Sequence, residues 1–180
     1  NFLEKAMQKY NKLFNLDRSK VYIIGGCGLI GSHIVNALEE VGAEITVFDL
    51  DIQKKKNKKR LKFLRFDCSD EKNIKEYFNS YIEKNGCPDV FINASYPTTE
   101  DWKNNSFKKI NFESYKKNIE IHLNSYIWIA KIIADQMVKN KIKGSIIQLS
   151  SIYGLVAQDS NLYKDTNISE NMTYGIIKSS

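Results

Sequence analysis

Residues 21–35 constrain the fold more than any other stretch. Val21, Tyr22, Ile23 and Ile24 are apolar and mostly β-branched or aromatic; glycines follow at 25, 26, 28 and 31, and then an apolar-periodic segment begins. That pattern is a buried strand, a tight turn and a helix start. The N-terminus of a helix presents unpaired N–H groups and a partial positive charge, which suits a phosphate. Glycines let backbone approach the phosphate and let the helix pack on the strand. An acid, Asp49, lies eighteen residues past Gly31, where a second strand ends.

The alternation continues along the chain. Phe2, Leu3, Ala6, Met7, Tyr10, Leu13 and Phe14 recur at helical spacing, so residues 1–19 read as an amphipathic helix ahead of a nucleotide-binding domain over 20–180. Strands are expected at 20–25, 44–48, 61–66, 88–93 and 143–149. Helices are expected at 29–41, closed by Gly42, from about Ser69 with Ile74, Tyr77, Phe78, Tyr81 and Ile82 inward, over 112–140, and from about Thr173. Ile119, Leu123, Tyr126, Ile127, Ala130, Ile133, Ala134 and Met137 are expected on the apolar side of the long helix, and the polar residues 98–109 to lie over a site. Strand–helix alternation predicts an α/β chain: a three-layer, doubly wound parallel sheet of at least five strands. Such sheets bind ligands at the carboxyl ends of their strands. Gly25 to Gly31, Asp49, Asp67, Asn93 and Ser150–Ser151 all fall at those ends.

Each position has a chemistry. A carboxylate at Asp49 accepts both hydroxyls of an adenosine ribose and repels a 2′-phosphate, which favours NAD over NADP, although nearby lysines soften the preference. Asp67 and Cys68 follow the third strand, where an adenine edge would lie; Asp67 equally suits a helix start. Tyr174 and Lys178, four apart on a helix, share one face. A phenol is a poor base at neutral pH, and a neighbouring ammonium favours its phenolate. With the Ser151 hydroxyl to bind a substrate oxygen, the three form an acid–base relay suited to nicotinamide chemistry.

Composition bounds the rest. The chain has 180 residues, 42% apolar and 27% charged, enough for one sizeable core. No apolar run reaches membrane-spanning length and no stretch near the start reads as a secretory signal, so a cytoplasmic protein with no membrane partner is expected. Three scattered cysteines, Cys27, Cys68 and Cys87, and two distant histidines argue against a disulfide framework and a metal site. The net charge of +6 owes much to residues 54–60, Lys-Lys-Lys-Asn-Lys-Lys-Arg. No aromatics interleave that run, so it reads as a solvated loop, not a nucleic-acid platform. The first residue is Asn and the last helix has no cap, so a longer chain, with its C-terminal part missing here, is expected.

These residues resemble a short-chain dehydrogenase/reductase, from Lys20 to the last residue. Gly25 to Gly31 resembles the family's glycine loop, with Ile24 where Thr is usual, and is closest to the form of the extended, nucleotide-sugar-acting branch. Asn93-Ala94-Ser95 resembles the N-N-A-G motif without its final glycine. Ser150-Ser-Ile-Tyr-Gly154 resembles the catalytic-serine segment, and counting back three from Gly154 makes Ser151 the serine. Tyr174 and Lys178 match the catalytic pair. His122 falls where many members carry a relay asparagine, with Asn118 and Asn124 close by; the relay uses His122, or a water, or is altered, unless His122 is simply a partly buried helix residue. Ser151 and Tyr174 are 23 residues apart, as in the extended branch and in a group of flagellin-modification and polysaccharide-biosynthesis reductases. The segment Gln158 to Met172, with Tyr163, reads as part of the substrate mouth.

The resemblance implies an NAD(P)-dependent oxidoreductase interconverting a hydroxyl and a keto group on a sugar or sugar nucleotide, in surface-polysaccharide or flagellin glycan synthesis. Gly25, Gly28 and Gly31, with Leu29 and Ile30 opening the helix, would take the pyrophosphate. Asp49 would take the ribose, and Asn93 and Ala94 the adenosine side. It also implies a homodimer or homotetramer through the long helix and the Tyr174 helix. Two rivals stand beside it: a nucleotide-sugar epimerase or dehydratase with recycled NAD, and a non-catalytic cofactor-binding regulator.

Overall fold

A computed structural model describes residues 15–53 and 55–180. The amphipathic helix expected near the start lies, apart from its last residues, outside that range. Five strands form one parallel sheet in the order β3-β2-β1-β4-β5. They are β1 (Lys20–Ile24), β2 (Glu44–Asp49), β3 (Leu61–Arg65), β4 (Val90–Asn93) and β5 (Ser145–Gln148). Around them run α1 (Leu29–Glu40), α2 (Glu71–Asn85), α3 (Phe112–Asn118), α4 (Ser125–Lys139) and α5 (Met172–Lys178).

The central strand explains the two-sided core. Successive side chains of a strand point to opposite faces. Tyr22 and Ile24 join Phe48, Phe78, Phe91, Ile129 and Ile133 beneath α2 and α4. Val21 and Ile23 join Val35, Ile45, Val47 and Ile92 beneath α1. An unbroken apolar run is what a strand buried on both faces requires. Edge strand β5 differs: Ile146 and Ile147 are 36% and 43% exposed. Among the described residues, no helix is long and apolar enough to cross a membrane.

Most expected elements form, with ends moved by a residue or two. β1 stops at Ile24 because Gly25 takes φ +74°, and α1 stops at Glu40, shortly before Gly42 at φ +86°. The long helix needs a larger correction. Its middle, Ile119–Asn124, is a turn of π-helix between α3 and α4. The buried face comprises Ser114, Asn118, Ile121, His122, Ser125, Tyr126, Ile129, Ile132, Ile133 and Met137, while Ile127 is 55% exposed. The apolar pattern misplaced the upper half of that face because four polar residues occupy it. Three of them have partners inside the protein. Asn118 accepts from Thr99 N and donates to Thr99 Oγ1 and the Ser114 carbonyl; Ser114 Oγ donates to Asp101; Ser125 Oγ donates to the His122 carbonyl.

The register sets the carboxyl ends level: Ile24 pairs with Phe48 on one side and Asn93 on the other, and Asn93 pairs with Gln148. The glycine turn then packs directly over that edge. A Cβ on Gly25 would lie 2.5 Å from Ser95 N and 2.6 Å from the Ala94 carbonyl carbon, and one on Gly31 would lie 2.1 Å from the Gly25 carbonyl oxygen. At Gly28 a Cβ would meet only that oxygen, at an ordinary 3.4 Å. Gly31→Ala should therefore destabilise the fold by about 3 kcal/mol or more in urea unfolding, while Gly28→Ala should stay within about 1 kcal/mol. Equal losses would mean that backbone contact does not distinguish the two.

Candidate functional site

A cavity of about 490 Å³ opens over the carboxyl ends of the strands, and it is lined by residues from every strand exit. The size suits a cofactor or small ligand. Its floor is the glycine turn. Gly25 N donates to the Phe48 carbonyl and Gly28 N to the Gly25 carbonyl. α1 then begins with no side-chain cap and no acidic residue in its first turn. Its opening N–H groups thus face the cavity without an internal competitor. Gly25, Gly28, Leu29 and Ile30 line the cavity; Gly31 is buried behind them as the contact between helix and turn.

Asp49 sits at the far edge of this floor and also lines the cavity. Its carboxylate accepts from Cys27 N at 2.9 Å and from Asp51 N at 3.2 Å. One acid therefore clamps the glycine turn and the loop after β2 together. Burial, followed by the Asp49 charge, pushes the neighbouring Cys27 thiol up to about 11, so it stays protonated. Lys55, Lys56 and Lys58 line a separate hollow with Gly26 and Ser32, and Lys58 pairs with Glu39.

The third and fourth strand exits divide their residues. Cys68 lines the cavity, whereas Asp67 turns away and accepts from Ser69 N and Ser69 Oγ. Asn93 is fully buried, and its Oδ1 accepts from Ser95 N and Oγ, so it shapes the exit of β4 rather than lining the cavity. Its Nδ2 has no partner among the described residues. Ala94, Ser95, Tyr96 and Pro97 line the cavity.

At the other end, the serine segment and α5 meet. A Cβ on Gly154 would lie 2.2 Å from the Lys178 carbonyl oxygen, so this glycine brings the segment against the helix. Ser150 Oγ donates to that same carbonyl. Ser151 Oγ accepts from Tyr153 N at 3.2 Å. Ser150, Tyr174 and Lys178 line the cavity; Ser151, the serine expected to act there, is not among the lining residues. Lys178 Nζ donates to the Leu149 carbonyl at 2.8 Å and lies 6.0 Å from the centre of the Tyr174 ring. Burial lowers the pKa of Lys178.

The segment expected to lie over a site instead holds the start of α5. Asn105 accepts from Met172 N at its carbonyl and from Thr173 Oγ1 at its side chain. Asn171 caps the helix by accepting from Tyr174 N and donates to the Trp102 carbonyl. The segment at 158–172 carries exposed Leu162 and Ile168, and Gln158 bridges Tyr163 OH to Asn171 N.

The sequence did not single out Tyr96, and it placed Tyr126 on the apolar side of the long helix without assigning it to the site. Tyr96 immediately follows the Asn-Ala-Ser exit. Tyr126 lies one turn after His122, and its OH donates to the Ser95 carbonyl. His122 is fully buried, and among the described residues neither ring nitrogen makes a well-formed hydrogen bond. Tyr96, Tyr126 and Trp102 surround it, with ring centres 5.2, 5.1 and 6.5 Å away. Among the described residues, no three His, Cys, Asp or Glu side chains converge as for a metal ion.

The family model for short chain dehydrogenase matches residues 19–163. The chain belongs to the short-chain dehydrogenase family. That match covers the glycine turn and the serine segment and stops before Tyr174 and Lys178. The chain is 27% identical to the post-translational flagellin modification protein A of Campylobacter coli, over 91% of this chain and 67% of the relative. It is 26% identical to the L-fucose dehydrogenase of Bos taurus, over 77% of this chain and 52% of that one. The structure superposes on a short chain dehydrogenase from Leptospira borgpetersenii with bound NAD+ at TM-score 0.79 and 24% identity, covering 94% of this chain and 63% of that one. The chain thus spans between about half and two thirds of the length of each of these three relatives.

His122 makes a pH prediction. Burial first, then the Lys178 charge, lowers its pKa from 6.5 to about 3; the Pro97 carbonyl pulls weakly the other way. The unfolded chain therefore binds this proton more readily than the folded one. The contribution of His122 is complete above pH 6.5 and is lost as pH falls from there toward 3. Stability should drop by about 1.4 kcal/mol per pH unit over that window from this group. Urea unfolding of wild type and His122→Asn at several pH values tests it; parallel slopes would refute it.

Proposed function

We propose that the protein is a nicotinamide-dependent oxidoreductase that interconverts a hydroxyl and a keto group on a sugar or sugar nucleotide. The observation that carries this reading is one cavity with an uncapped helix N-terminus and Asp49 at one end and Tyr174, Lys178 and the serine segment at the other. The cavity fits a dinucleotide by a physical criterion: a Cβ on Gly28 would make only ordinary contact with the Gly25 carbonyl oxygen, so packing within the protein does not demand the glycine that lines the cavity there.

Gly25, Gly28, Leu29 and Ile30 hold the pyrophosphate with the free N–H groups of α1, and Gly31 keeps α1 close enough to do so. Asp49 accepts the adenosine ribose hydroxyls. Ala94 and Cys68 flank the adenosine, while Asn93 and Asp67 fix the backbone behind them. When bound, the nicotinamide supplies the two-electron acceptor or donor. Tyr174 takes or gives the proton at the substrate oxygen. Lys178 keeps a positive charge beside that phenol, and Ser151 orients the substrate oxygen by a hydrogen bond. His122, neutral and without a well-formed hydrogen bond among the described residues, keeps one N–H and one lone pair for a proton path at the relay-asparagine position. Exposed Ile127 and Trp128 on α4 support self-association through the long helix.

The sugar class rests on the likeness to the flagellin modification protein and the L-fucose dehydrogenase. The preference for NAD rests on Asp49, which has no ion-pair partner among the described residues. Two measurements test the reading on the complete natural protein. Fluorescence titration should show NADH binding at least about tenfold tighter than NADPH, because a 2′-phosphate would meet the Asp49 carboxylate. The reverse order would remove the Asp49 argument. In a screen of free sugars and sugar nucleotides, Tyr174→Phe should cut turnover by about a hundredfold or more and leave NADH affinity intact. Full activity in that variant would exclude the proposed acid–base role.

A further inference from the structure

We propose that Tyr126 is a positioning residue that keeps Lys178 charged, the face of its ring standing in for an anionic partner. Lys178 is only 7% exposed, yet among the described residues no carboxylate forms an ion pair with it. A buried ammonium without such a partner tends to lose its proton. Its Nζ makes one hydrogen bond, to the Leu149 carbonyl, and lies 4.8 Å from the centre of the Tyr126 ring. That is the distance of a cation on an aromatic face, an attraction that strengthens with desolvation.

The other groups facing Lys178 do not supply the missing charge. From the long helix, His122 is neutral, its protonation further opposed by Lys178 itself. From its own helix, Tyr174 lies farther off, at 6.0 Å. From the exit of β4, burial keeps the Tyr96 phenol protonated, up to about 12. Behind Tyr126, burial likewise raises Cys68. Burial also holds Tyr126 in the phenol form. It acts through its ring, therefore, and not as a phenolate.

The hydroxyl sets the ring's position. Tyr126 OH donates to the Ser95 carbonyl, on the backbone that passes against Gly25. One side chain thus ties the exit of β4 to the lysine on α5. The consequence for catalysis rests on the Tyr174–Lys178 reading above; the effect on Lys178 does not.

The test reads the titration of Lys178 directly, by NMR of protein carrying lysine labelled with ¹³C at Cε and ¹⁵N at Nζ, with Lys178→Met to assign the signal. Tyr126→Phe keeps the ring, loses its tie to the Ser95 carbonyl and is the reference for the comparison that follows. Singly and then triply fluorinated phenylalanine at 126 keep the ring's shape and withdraw electron density from its face. Across that series the pKa of Lys178 should fall stepwise, by about one pH unit in all. Tyr126→Leu should lower it as well, but the fluorinated series decides the matter if that variant folds poorly. An unchanged titration from phenylalanine to the triply fluorinated ring would overturn the proposal. The Tyr174→Phe turnover assay fails or succeeds independently of this result.

Discussion

The contact of Gly31 with the Gly25 carbonyl holds the architecture together. Two backbones approach there more closely than any side chain permits, and Gly25 in turn lies against the backbone of Ala94 and Ser95. Three elements, the end of β1, the start of α1 and the exit of β4, are thereby fixed to one another. The uncapped N-terminus of α1 faces the cavity because of that packing. Asp49 closes the arrangement from the neighbouring strand by accepting from Cys27 N. The donors are aimed when the chain folds, and little reorganisation is left for a ligand to drive.

That half of the site was legible in the sequence because it is local. Strand, glycines, helix and the acid of the next strand lie within thirty residues, and their spacing alone specifies how they meet. The same locality made the sheet readable, since buried parallel strands are unbroken apolar runs. Asp67 and Asn93 show the limit of such reading. Both were correctly placed at strand ends, but one side chain turns to Ser69 and the other is buried against Ser95. A position at the carboxyl edge does not say where a side chain points.

The long helix was harder for a different reason. Its upper buried face is polar, so hydrophobic periodicity sees a solvated surface there. Ser114 and Asn118 are inside because Thr99 and Asp101 arrive from a loop with matching donors and acceptors. Such pairing between distant segments leaves no periodic trace. The π turn at Ile119–Asn124 adds a change of phase and delivers His122 and Tyr126 to the cavity end of the helix. Extra-residue turns of this kind often accompany functional sites.

The two ends of the cavity differ in how they carry charge. Among its lining residues only Asp49 and Lys178 bear full charges, one at each end. Asp49 is steadied by two backbone N–H groups. Lys178 has no comparable support: one carbonyl and the faces of Tyr126 and Tyr174. An ammonium held this loosely is more easily drawn toward a new acceptor than one locked in an ion pair, whose separation would leave a buried carboxylate uncompensated. The aromatic surround preserves the charge without spending it on a permanent partner, and the missing counter-ion is therefore part of how this end of the cavity is built.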